Sequence, residues 1–213
     1  MRVGVLGTGD VGSALGTGFV ALGSEVMMGS RSAANESAAE WVRDTGERAS
    51  AGTFGDAAAF GELIVLATKG VANPGVVAAA GPEKFSGKVV IDATNPLDFS
   101  EGHPDLAIKG DDSGGEALQR LIPDANVVKA FNIVSSSLMF QPDLPGGPPD
   151  MFIAGDDAEA KKVVGGILAD FGWPTIDIGG IRSARWLEAM TMAWVMAGMA
   201  GKSWRQAFKM LRE

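Results

Sequence analysis

Residues 1–12 read MRVGVLGTGDVG, an apolar run that ends in Gly7-Thr8-Gly9-Asp10-Val11-Gly12. Arg2–Leu6 reads as a buried strand, and the G-x-G-x-x-G after it opens a helix over Val11–Leu22. Each glycine has its own physical task. Gly7 permits a tight turn, Gly9 lets a pyrophosphate approach the backbone with no Cβ in the way, and Gly12 allows close helix–strand packing. The unpaired N–H groups and positive dipole end of the helix start suit an anion. Such a motif is weak in isolation. Its place between a first strand and a helix, with a second strand following, reads as a dinucleotide fingerprint.

That second strand, Glu25–Met28, decides which dinucleotide. An acid about twenty residues past the fingerprint grips the ribose 2′-hydroxyl of NAD. Here the corresponding stretch is Met28-Gly29-Ser30-Arg31-Ser32, which holds no acid. Arg31 offers a planar donor fork for a 2′-phosphate, and Ser30 and Ser32 add hydroxyls and backbone N–H groups. A charge-assisted bond of roughly 1.5–3 kcal/mol sets a preference for NADP of about ten- to a hundredfold.

Beyond this unit the alternation continues. Ala33–Thr45 is a helix with Ser32 as its expected cap, and Arg48–Phe54 is a weaker strand. LIVLA (63–67) and KVVI (88–91) are strands apolar on both faces, with a helix over Asn73–Ala80 between them. A helix over Gly115–Leu121 precedes the strand NVVKAF (126–131). Met151–Ala154, a helix over Ala158–Phe171 and Thr175–Ile178 form a further β-α-β unit. The chain closes with a strong helix over Ser183–Ala200 and a short basic one from Ser203. The fold class is therefore α/β: a Rossmann, doubly wound, mostly parallel sheet with a short C-terminal helical segment. Residues 1–180 form the NADP-binding domain, and 181–213 belong to the same compact unit. Two irregular stretches, Asp98–Gly114 and Gln141–Pro149, lie beyond strands, where such sheets bind ligands.

Composition narrows the chemistry. The 213 residues are 46% hydrophobic and 21% charged, as in a well-packed globular chain. Cysteine and tyrosine are absent and His103 is the only histidine, which excludes disulfides, thiolate nucleophiles, multi-histidine metal sites and a Tyr/Lys catalytic pair. A net charge of −8 argues against general nucleic-acid binding. The N-terminal apolar run is too short for a signal segment and no stretch is long enough for a membrane span, so a cytoplasmic location is expected.

The segments GTGDVGSALG, GSRS, LATKG, DATNPL and VVKAFN resemble the NADP-dependent oxidoreductase family named for coenzyme F420, a deazaflavin. Similar segments occur in predicted bacterial dinucleotide-binding enzymes and in the cytosolic reductase domain of six-transmembrane epithelial metalloreductases. The resemblance runs on through GDDAEAKKVV, the PxxDxG at Pro174–Gly179 and ARWLE. It implies NADP contacts from Thr8 to Val11, from Ser30 and Arg31, and from the strand ends at Thr68, Lys69, Asn95 and Ala130. It also implies that the nicotinamide meets its acceptor near Pro96, Phe131 and Asn132.

A carbonyl reductase needs a positioned acid, whereas hydride exchange between two ring cofactors asks mainly for orientation. With the usual acids missing, the sequence favours hydride transfer between NADP(H) and F420 or a flavin such as FMN or FAD, with Asn132 and Phe131 at the reacting rings. Lys69 and Lys129 are the remaining candidate acids, and a small-molecule reductase or an NADPH sensor are the alternatives. Asp111, Asp112 and Glu116 read as a solvated acidic cluster, and Lys202, Arg205, Lys209 and Arg212 as a solvated basic face. The uniformly apolar RWLEAMTMAWVMAGMAGKSW reads as the seam of a homodimer.

Overall fold

Strand and helix alternate in the structure, a computed structural model that describes every residue except Arg212. β1 (Arg2–Leu6) leads through the glycine loop into α1 (Asp10–Ala21), and β2 (Glu25–Ser30) into α2 (Glu36–Thr45). β3 (Ala49–Thr53), α3 (Phe54–Phe60) and β4 (Leu63–Leu66) complete the first half. The second half holds α4 (Asn73–Ala80), β5 (Val89–Asp92), α5 (Gly114–Leu121) and β8 (Asn126–Lys129). Between β5 and α5, the two-residue strands β6 (Leu97–Asp98) and β7 (Asp105–Leu106) pair antiparallel, so the first irregular stretch contains a small hairpin. β9 (Met151–Gly155), α6 (Ala158–Asp170), β10 (Thr175–Asp177) and α7 (Ala184–Gly201) close the chain.

Eight strands form one sheet in the order β10-β9-β8-β5-β4-β1-β2-β3. All neighbours run parallel except β8 and β9, so the doubly wound, mostly parallel sheet stands as read. The chain winds outward from β1 to β3, then crosses to β4 on the other side of β1. That reversal opens the crevice at the carboxyl ends of β1 and β4.

Four expectations change. α2 begins at Glu36, because Asn35 rather than Ser32 accepts the Ala38 N–H as its cap. α3 was not expected, though Thr53 and Asp56 form a reciprocal capping box at its start. It crosses under the sheet so closely that a Cβ on Gly4 would lie 2.2 Å from the Ala57 carbonyl oxygen. The basic tail is not helical: residues 203–211 have no regular structure, and Arg212, the last member of the expected basic face, lies outside the described residues. Finally, Glu116 is not solvated, since it pairs with Arg185 of α7 at 2.8 Å.

Among the described residues, no helix is long and apolar enough to cross a membrane. No group of His, Cys, Asp or Glu among them is arranged to hold a metal ion.

Candidate active site

A cleft of about 860 Å³ lies over the crevice, lined by the glycine loop, the ends of β2 and β4, and the first turn of α4. It gathers Gly7, Thr8, Gly9, Asp10, Val11, Ser30, Arg31, Ser32, Thr68 and Lys69, ten of the sequence-derived positions. Gly12 is buried just beneath.

The three glycines separate by their surroundings. Gly7 has φ +134°, and a Cβ there would meet the Ala67 carbonyl oxygen at 2.4 Å. A Cβ on Gly12 would lie 2.1 Å from the Gly7 carbonyl oxygen. Both positions are closed to any side chain by the protein itself. Gly9 is different: a Cβ there meets nothing within 4 Å. Its bareness serves no packing within the chain and leaves an open cradle at the start of α1, where unpaired N–H groups attract an anion.

At the end of β2 the Ser30 hydroxyl donates to the Ser32 carbonyl oxygen at 2.6 Å and accepts from the Ser32 N–H at 3.2 Å. This knot holds the turn that displays Arg31. Arg31 is exposed and has no ion-pair partner among the described residues, so its donors face the cleft unclaimed. Asn35 and Phe54 also line the cleft; neither was singled out in the sequence, although the Asn35-x-x-Ala38 cap spacing marks the helix start.

The remaining predicted residues sit at the ends of β5 and β8, on the other side of the reversal. Asn95 and Asn132 are bound face to face: Asn132 Nδ2 donates to Asn95 Oδ1 at 3.1 Å, and Asn95 Nδ2 donates to the Asn132 carbonyl oxygen at 2.8 Å. Thr191 of α7 joins them, its Oγ1 lying 2.9 Å from Asn95 Oδ1 and 3.0 Å from Asn132 Nδ2. Asn132 Nδ2 also reaches the Leu187 carbonyl oxygen at 3.0 Å. Asn132 is 4% exposed, and its Oδ1 is the buried side-chain oxygen left without a partner among the described residues. A buried acceptor of this kind is costly unless a donor reaches it.

Ala130 and Pro96 are buried in the adjoining backbone. The Phe131 ring is not at a ligand face. It is 1% exposed and packs edge-on to Phe171, with ring centroids 5.7 Å apart. Its φ of +63° turns the chain sharply after β8 and delivers Asn132, so its contribution to the site is through the backbone.

Lys129 is equally far from the solvent. Its ammonium is 0% exposed and lies 2.9 Å from Asp92 and 2.8 Å from Glu188. Burial alone lowers its pKa, but the two carboxylates more than reverse this and hold the ammonium above the ordinary lysine value. A cation held this firmly does not serve as an acid at neutral pH. Asp92 in turn accepts from Thr94 Oγ1 at 2.7 Å, Thr94 Oγ1 accepts from Asn73 Nδ2 at 3.0 Å, and Asn73 Oδ1 accepts from Thr68 Oγ1 at 3.1 Å. A continuous polar chain thus runs from the buried ion cluster to the floor of the cleft. Asp92, Asn73, Thr94, Thr191 and Glu188 were all missed in the sequence; a lone acid inside the apolar run ARWLEAMTMAW was the one signal available.

The family description NADP oxidoreductase coenzyme F420-dependent matches residues 2–96. The F420-dependent NADP reductase of Methanothermobacter marburgensis is 32% identical over 203 residues, covering 90% of this chain and 89% of that protein. The chain belongs to the coenzyme F420-dependent NADP oxidoreductase family. A solved structure of a proposed F420 dependent NADP-reductase from Arthrobacter sp. FB24 superposes on this F420-dependent oxidoreductase-family chain with a TM-score of 0.93 at 36% identity, covering 99% of both. The metalloreductase STEAP3 of Rattus norvegicus is 28% identical over 90% of this chain, which spans only 36% of that protein's length. A reductive aminase from Aspergillus terreus shares the fold at a TM-score of 0.68 and 21% identity. This family member is accordingly an NADP-dependent oxidoreductase.

Proposed function

We propose that the protein passes hydride between NADP(H), held along the cleft, and a deazaflavin (F420) or flavin acceptor such as FMN or FAD at the ends of β5 and β8. The residues fit the dinucleotide. Thr8 to Val11 around the open cradle at Gly9 would hold the pyrophosphate, and Arg31 with Ser30 and Ser32 the 2′-phosphate. Thr68, Lys69, Asn95, Pro96 and Ala130 would border the nicotinamide half. The unpaired Asn132 Oδ1 offers an acceptor for the carboxamide N–H of that ring. When bound, the nicotinamide supplies the hydride, and the chain's part is to hold both rings in line.

The observation that carries the choice of acceptor is the confinement of Lys129. Of the two candidate acids, Lys129 is locked between two carboxylates and so withdrawn from the proton donation a carbonyl substrate needs, while Lys69 lines the dinucleotide cleft among the phosphate-binding residues. A ring acceptor makes no such demand. Relatives named F420-dependent NADP reductase support the same choice.

Residues 1–180 act as the NADP-binding domain, with 181–213 packed into the same unit, and two copies associate through α7 in the cytoplasm. No nucleic acid or membrane takes part in this reading. Mixing the protein with NADPH and, in turn, F420, FMN, FAD or a ferric chelate tests it by the loss of NADPH absorbance. Turnover with a ring acceptor is expected. Turnover only with a small carbonyl or imine substrate would replace it with a reductase of small organic molecules, and tight NADPH binding without turnover would make the protein a sensor.

A further inference from the structure

Two triads of side chains are stacked in register at the ends of β5 and β8. Asp92, Lys129 and Glu188 form the lower one, and the residues three positions further along each segment, Asn95, Asn132 and Thr191, form the upper one. The upper triad is the one with an unpaired oxygen and borders the nicotinamide half of the crevice under the proposed function.

The lower triad carries a formal charge. Asp92 accepts from the Thr94 N–H, the Thr94 hydroxyl and Lys129. Glu188 accepts from the Gly114 and Gly115 N–H groups at the start of α5 and pairs with Lys129. Every hydrogen bond to either carboxylate is one it accepts, the pattern an acceptor-only group requires, and the cluster is counted at its formal charges. Two carboxylates against one ammonium leave one negative charge, and the three side chains are 0%, 0% and 1% exposed. The two amides of α5 offset part of this charge. Solvent does not reach it to screen the rest.

We propose that this buried charge poises the bound nicotinamide toward its oxidised, cationic form, so that the protein is built to send hydride from NADPH to the acceptor. NADPH loses hydride, with its two electrons, and the ring becomes positive; the acceptor gains that hydride. A fixed negative charge beneath the strand-end residues that would border the ring favours the state with the positive ring. The phosphates carry the same charge in NADP⁺ and NADPH, so the effect on them cancels in a comparison of the two. This inference rests on the NADP placement above, and its failure is distinguishable from the failure of that placement.

The test is the pair of dissociation constants for NADP⁺ and NADPH, by calorimetry, with no acceptor present. In the wild type, NADP⁺ binds at least as tightly as NADPH. Glu188→Gln removes the excess charge and shifts the ratio toward NADPH several-fold, the order that loss of one nearby, poorly screened unit charge produces. Asp92→Asn shifts it in the same direction from the opposite side of Lys129, and serves if Glu188→Gln does not fold. An unchanged ratio in a variant that melts cooperatively overturns the proposal. A wild type that prefers NADPH tenfold or more overturns it without any variant. A wild type that binds neither nucleotide overturns the functional reading instead.

Discussion

Gly9 and Gly12 lie three residues apart, one capping α1 and the other in its first turn, yet a side chain meets opposite surroundings at the two positions. At Gly9 the space is open, and at Gly12 a backbone oxygen stands 2.1 Å from where the Cβ would be. Gly9→Val is therefore expected to fold with a near-normal melting temperature and to lose NADPH binding, because the valine occupies the cradle. Gly12→Val is expected to melt far lower, since backbone must move to admit it. Thermal denaturation alongside calorimetry separates the two, and normal NADPH affinity in folded Gly9→Val would remove the loop from the site. Arg31 permits an equally sharp comparison. It has no ion-pair partner to lose, so Arg31→Ala should leave stability unchanged and weaken NADPH by roughly 1.5–3 kcal/mol while NADH is nearly unaffected. Equal losses for both nucleotides would place the 2′-phosphate elsewhere.

At the scale of elements, the site depends on how α7 is fixed to the sheet. Thr191 and Glu188 lie one turn apart on the same face of α7, and they bind the ends of β5 and β8 and the start of α5. Asn132 is thus a junction as well as a ligand candidate. Asn132→Ala is expected to lower turnover and also to cost about 1–3 kcal/mol of stability, since truncation removes the amide that donates to the Leu187 carbonyl and the Asn95 amide oxygen and leaves Thr191 as their remaining side-chain donor. Thr191→Val keeps the shape, loses one hydroxyl and should cost about 1–3 kcal/mol. Urea melts and stopped-flow rates on both variants check this, and a turnover loss in Asn132→Ala with unchanged stability would show that the junction is not structural. The sequence revealed the strands and the glycine loop because period and motif are local. The contacts of Asn132 were hidden because Leu187 and Thr191 lie 55 and 59 residues away. Phe131 was placed near the reacting rings by resemblance, and what the sequence could not announce is the positive φ that turns its ring into the core. The basic tail misled in the opposite way. Its helical spacing is real, but Lys202 turns left-handed at φ +51° and the chain folds back, so that Trp204 packs on Trp194 and Lys209 reaches Asp150.

For the molecule as a whole, the open question of surface is the outer face of α7. Trp186, Ala189, Ala193, Met196, Ala197 and Ala200 are exposed at helical spacing, with no charged residue after Glu188 until Lys202. An uncharged stripe that begins on a tryptophan is a typical site of association. The same helix binds the strand ends through its inner face, so a partner on the stripe would stiffen the wall of the site from behind. The inner and outer residues now separate the test from a packing artefact. Trp194, an apparent seam residue in the sequence, donates its indole N–H to the Gln206 carbonyl oxygen and stacks near Trp204 within one chain, so a charge there would disrupt the monomer. Met196 is 55% exposed and Trp186 is 64% exposed, and both accept a glutamate in the monomer without burial. Met196→Glu is therefore expected to melt as a folded protein and to sediment as a monomer, because association would bury an unpaired carboxylate at a cost of several kcal/mol. Trp186→Glu should act in the same way at the other end of the stripe. Sedimentation velocity over a range of concentrations decides the matter. A wild type that stays monomeric throughout, or a Met196→Glu variant that remains a dimer, would remove α7 from the interface and leave the stripe as ordinary surface.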